Sequence, residues 1–95
     1  MYSGNKRVEC SVVDISEGGV ALQMGSPMEN GALCVVAFDV DAYSRRKRIN
    51  AWGEVVYVRK TGGERMFRVG VRFTDMDQYS ALLISAFSAN RSLIL

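Results

Sequence analysis

The 95-residue chain has no histidine, one proline, two cysteines and one tryptophan. None of its apolar runs approaches the ~20 residues needed to span a bilayer, so membrane insertion is not expected. The absence of histidine removes the commonest general base and the commonest metal ligand. No nucleophile stands beside a base and no glycine-rich loop opens a helix. Asp39 and Asp41 have no third ligand nearby and read as a polar turn. An enzyme is therefore not expected, and neither is a metal or a cofactor. Cys10 and Cys34 each sit in apolar sequence, where a free thiol behaves as a small buried hydrophobe, and no disulfide is expected. Met1 to Arg7 holds two bases without the apolar stretch of an export signal, which makes the cytoplasm the default. A formal net charge of +2 is too small to imply nucleic-acid binding.

What the sequence does contain is a succession of strand signals and one closing helix. Val8 to Val12 alternates apolar with polar residues, placing a strand start near Arg7. Asp14 to Gly19 then predicts a sharp turn, with the adjacent Gly18 and Gly19 supplying positive φ, and Val20 to Met24 returns. Ala32 to Val40 is a nearly unbroken apolar run that reads as a central strand, followed by a loop from Asp39 to Ser44. From Lys47 to Lys60 the alternation puts Ile49, Ala51, Gly53, Val55 and Tyr57 on one face and Trp52, Glu54, Val56 and Val58 on the other, with a bend expected at Gly53. Thr61 to Gly63 predicts a hairpin turn. In the return strand Val69, Val71 and Phe73 are expected to point inward, with Arg68 and Arg72 outward. After Thr74 the period changes: Met76, Tyr79, Leu82, Leu83, Ala86 and Phe87 recur at helical spacing, with Asp75 as the expected N-cap. The helix is expected over about 76–90, with Met76, Tyr79, Leu83 and Phe87 packing on the sheet or on a second copy of the chain. At this length one core is expected, hence a single domain over 1–95 with the strands over about 7–74.

Asp14, Ser16 and Gly19 fit the pattern Asp-x-Ser-x-x-Gly. With the later segments Gly53 to Tyr57 and Val69 to Phe73, and the helix behind them, the chain resembles the PilZ domain family over nearly its whole length. The resemblance implies an all-β fold: an antiparallel, six-stranded or nearly six-stranded PilZ-type β-barrel with a C-terminal α-helix. It also implies a non-catalytic bacterial signalling module that binds cyclic di-GMP (c-di-GMP) and relays that second messenger to a protein partner or adjoining domain. A homodimer is a further candidate assembly. The chemistry fits the residues: the carboxylate of Asp14 can accept from guanine donors, the Ser16 hydroxyl can donate or accept, and Gly19 admits close backbone approach. The same three residues also describe a plain polar turn.

The family carries a further signature, Arg-x-x-x-Arg, on an arm well upstream of the turn, and this chain departs from it there. Only thirteen residues precede Asp14, and Lys6 and Arg7 form the one basic pair among them. Arginine grips phosphate bidentately, as lysine cannot. At ~1.5–3 kcal/mol per charged contact, losing two arginines costs about 3–6 kcal/mol, roughly 10²–10⁴ in affinity. Weak binding is expected, with Lys6 and Arg7 as the remaining clamp. Either the arm lies outside these residues, or another chain or domain supplies it, or, as the alternative function, this is a degenerate domain acting as a nucleotide-independent protein-protein interaction adaptor. Arg45, Arg46 and Arg48 form the densest basic run and are candidates for a phosphate or partner contact. Tyr57 is a candidate for stacking on a purine, and Tyr43 for stacking on a nucleic-acid base.

Overall fold

The computed structural model describes the backbone of residues 1–4, 6–42, 45–62 and 65–94, and the side chains of these apart from Lys6, Ala42 and 87–94. Seven strands and a helix follow in order: β1 (Tyr2–Ser3), β2 (Lys6–Arg7), β3 (Cys10–Ile15), β4 (Gly19–Met24), β5 (Leu33–Ala42), β6 (Arg45–Lys60), β7 (Phe67–Met76) and α1 (Gln78–Ile94). They form one antiparallel sheet in the order β2-β1-β5-β6-β7-β4-β3. The all-β class and the C-terminal helix are as expected, and of the seven strands β1 and β2 are only two residues long. The sheet is not closed, because no ladder joins β2 to β3 among the described residues.

Alternation drives the burial. Val20, Leu22 and Met24 of β4, Cys34, Val36, Phe38 and Val40 of β5, and Ile49, Ala51 and Val55 of β6 all point to one interior. Val69 and Val71 complete it from β7, with Phe73 partly buried against them, while Arg72 is exposed and Arg68 half-buried on the opposite face. The inward and outward assignment of β7 therefore holds. A residue that alternates correctly in a one-sided sheet has no second option, since a slip of one would expose every valine.

Several boundaries differ from expectation. Strand β5 continues through Asp39 to Ala42, and β6 begins at Arg45, so the expected loop is mostly ladder. Asp39 lies opposite Arg48, with which it is ion-paired, and Asp41 lies opposite Arg46. Strand β7 runs two residues past Thr74, with Asp75 opposite Trp52 and Met76 opposite Ala51. Met76 thus belongs to the sheet and not to the helical stripe. A register shift falls between Trp52 and Gly53, where the bend was expected.

The N-cap is Asp77, not Asp75: its Oδ1 accepts from the Ser80 amide at 2.7 Å, and the Ala81 amide donates to its carbonyl at 3.1 Å. The buried face of α1 carries Ser80, Leu83 and Ile84, whereas Tyr79 and Leu82 are more than half exposed. Leu83 is as expected and Tyr79 is not. The helix begins at Gln78, later than the periodicity suggested. Ser80 is buried among apolar groups because its polar atoms are used: the hydroxyl accepts from the Asn50 amide at 3.3 Å and donates to Asp77 Oδ2 at 3.3 Å. Phe87 lies outside the described side chains.

Candidate functional site

The β3–β4 turn builds one end of a cleft. The Ser16 amide donates to the Gly19 carbonyl at 2.9 Å, and the Ser16 hydroxyl makes a longer contact with the same oxygen at 3.4 Å. The Asp14 carboxylate accepts from the Ile15 amide at 2.9 Å. The Phe73 amide donates to the Gly18 carbonyl at 2.9 Å, tying the turn to β7. Neither Gly18 nor Gly19 has positive φ, contrary to expectation. Glycine is required at position 19 for another reason: a Cβ there would overlap the Val71 carbonyl oxygen of β7. The close approach that Gly19 permits is that of a neighbouring strand.

Two irregularities aim the site. In β3 the register shifts between Val12 and Asp14, so Val13 is an extra residue and Asp14 lies opposite Ala21. In β6 it shifts between Val55 and Tyr57, making Val56 extra. Up to Val55 the expected alternation holds. Beyond the bulge it inverts, so that Val58 packs on the core while Tyr57 turns outward, 38% exposed, opposite Gly70. The face assigned to Tyr57 from sequence is thereby corrected. A bulge resets a period-2 pattern, and nothing in Val55-Val56-Tyr57 announces it.

The register now places Asp14, Ala21, Gly70 and Tyr57 in one row across β3, β4, β7 and β6, on the outer face of the sheet. The row spans three strand spacings, about 14 Å. Its middle is low, since Ala21 is small and Gly70 has no side chain. In the next row Arg72 faces Gly19 on one side and Glu54 on the other, and its Nη2 donates to Glu54 Oε1 at 2.7 Å. The result is a cleft of about 350 Å³ lined by Asp14, Ser16, Gly19, Ala21, Tyr57, Gly70 and Arg72.

The structure therefore brings Asp14, Ser16, Gly19 and Tyr57 together. Arg7 is not among the cleft residues; it lies on β2 at the other end of the strand order, paired with Glu9 at 3.4 Å. The Lys6 side chain and Tyr43 lie outside the described residues. Arg45, Arg46 and Arg48 are on β6 outside the cleft, and Arg48 Nε is 2.8 Å from Asp39 Oδ1, a partner that explains its place without a ligand. Ala21, Gly70 and Arg72 were not anticipated as site residues. The alternation of β7 already put Gly70 and Arg72 on one face, but only the strand order puts that face beside Asp14. An Arg-x-x-x-Arg spacing occurs downstream of the turn, at Arg68 and Arg72.

Among the described residues there is no cluster of three metal-ligating side chains, and no helix is long and apolar enough to cross a membrane. No curated protein and no solved structure matches the chain. The family model described as PilZ domain matches residues 1–90, which is nearly the whole of the sheet and helix described above. That family consists of non-catalytic signalling modules of the c-di-GMP-binding type. A match over nearly the whole length shows the family: the chain belongs to the PilZ domain family.

Proposed function

We infer that this domain binds cyclic di-GMP weakly in the outer-face cleft and passes the signal to a protein partner. The observation that carries this reading is the row Asp14, Ala21, Gly70, Tyr57: a carboxylate at one end, an aromatic ring at the other and a low floor between them. A guanine seated there meets an acceptor for its N1 and N2 donors at Asp14, and Tyr57 supplies stacking area. The Ser16 hydroxyl, whose proton is directed at Gly19, retains lone pairs to accept from the base. Calorimetric titration tests the reading. The unsubstituted chain should bind detectably, and Asp14→Ala and Ser16→Ala should each weaken binding at least tenfold with unchanged thermal unfolding. No heat at millimolar nucleotide overturns it.

A second reading, the nucleotide-independent adaptor, draws on a different surface. Tyr2, Val35 and Trp52 form one outward row across β1, β5 and β6, with Trp52 59% exposed and the nearby Leu33 70% exposed. Exposed apolar groups in a row suit a protein contact more than a nucleotide. Trp52→Ala should abolish partner capture and leave nucleotide binding unchanged if the two surfaces act separately.

A further inference from the structure

The outer face carries a second row beside the one that forms the cleft floor: Ser11, Gln23, Arg68 and Arg59, in register across β3, β4, β7 and β6. Arg59 and Arg68 stand directly opposite one another. Like charges in that position repel, since opposed Cβ atoms on neighbouring strands are only about 5 Å apart. The row holds no carboxylate to offset them, in contrast to the row of Arg72, where Glu54 does. The Nε of Arg68 is buried and has no hydrogen-bond partner among the described residues. Arg59 holds its guanidinium 5.7 Å from the centre of the Tyr57 ring, which fixes the cation beside the aromatic wall of the cleft. The two arginines are thus opposed, without an ion pair among the described residues and with Arg68 half-buried, one row or about 7 Å from the row of Asp14 and Tyr57.

We propose that Arg59 and Arg68 form an anion clamp on strands β6 and β7 for the phosphodiester groups of the bound nucleotide. A phosphate between the two guanidinium groups would convert their repulsion into two charge-assisted contacts. The clamp requires the base to lie with its ribose and phosphate toward this row and not toward Arg72. Arg72 contributes less, because it is already engaged by Glu54. The inference deepens the receptor reading and rests on it for the identity of the ligand.

The test is calorimetry with cyclic di-GMP on the unsubstituted chain, Arg59→Gln, Arg68→Gln, the double variant and Lys6→Gln/Arg7→Gln. Each of the first two should weaken binding about 10- to 100-fold, the contribution of one charged hydrogen-bonded contact. The double variant should also lose most of the salt dependence, since the screened charge is gone. The Lys6/Arg7 variant should bind as the unsubstituted chain does. Binding by the double variant equal to that of the unsubstituted chain overturns the clamp and leaves the receptor reading standing. Arg59 is exposed, so its substitution is informative even where Arg68→Gln perturbs folding. If the unsubstituted chain does not bind the dinucleotide, the receptor reading fails separately. Titration with inorganic pyrophosphate, followed through the arginine Nε resonances, then tests the clamp alone. Shifts confined to Arg59 and Arg68 support it, and their absence overturns it.

Discussion

The ring of Tyr57 lies across Gly70 so closely that a Cβ at position 70 would overlap its Cδ2–Cε2 edge. The contact exists because the bulge at Val56 turns Tyr57 outward onto the one residue of β7 that offers no side chain. Gly70→Ala should therefore push the ring off the strand. Since a side chain can swing away, the stability cost should be modest, about 1 kcal/mol, at the low end of overpacking costs. A double-mutant cycle with Tyr57→Ala checks this: alanine at position 70 should cost little once the ring is absent.

Gly19 offers the contrasting case. A Cβ there meets the backbone carbonyl of Val71, which cannot rotate away. Gly19→Ala should cost about 2–3 kcal/mol, the upper part of the overpacking range, and more than Gly70→Ala. Urea unfolding of both variants compares them directly, and equal midpoints would contradict the assignment of Gly19 to strand packing.

Val71 is 2% exposed at the centre of the sheet. Val71→Asp places an unpaired carboxylate in the core, at a cost of several kcal/mol against a total stability of only ~5–15 kcal/mol. The domain should be unfolded or severely destabilised by circular dichroism at neutral pH, whereas Arg72→Asp on the opposite face should remain folded.

Asp77 caps α1 and also receives the hydroxyl of the buried Ser80. Asp77→Ala should lower stability by about 1–2 kcal/mol, the range of lost N-caps. Asp75→Ala, at an exposed strand position opposite Trp52, should change it by less than about 0.5 kcal/mol. Thermal melts of the two variants distinguish the cap from its neighbour.

Burial pushes the Cys34 thiol above its ordinary value of 9.0; the amino terminus opposes this and Cys10 adds to it. A folded-state pKa raised by desolvation means that above the ordinary value the unfolded chain releases a proton that the folded chain retains. The contribution of Cys34 to stability is therefore intact below about pH 9 and declines as pH rises from there through the folded value. Unfolding midpoints should fall on the alkaline side less steeply in Cys34→Ala than in the unsubstituted chain. Iodoacetamide should modify Cys10, which is partly exposed, faster than Cys34.

The sequence by itself determined the existence of the longer strands β3 to β7 though not their ends, the closing helix and the inward face of β7, because a one-sided sheet writes its burial into a period of two residues and a helix into a period near 3.6. It also determined the polar turn at Asp14, Ser16 and Gly19, whose residue types suit both a reversal and a base-reading role. It did not determine where the period resets. The extra residues Val13 and Val56 are ordinary strand formers, and only pairing with β4 and β7 makes them bulges, turning Asp14 and Tyr57 to the outer face. The helix register was likewise decided by the last rung of β7, which holds Asp75 and Met76 in the sheet and leaves Asp77 to cap. Arg59 and Arg68 are nine residues apart in the chain and show no relation there. Their opposition is a fact of strand register, which is set by the packing of the whole interior and not by any local run of residues.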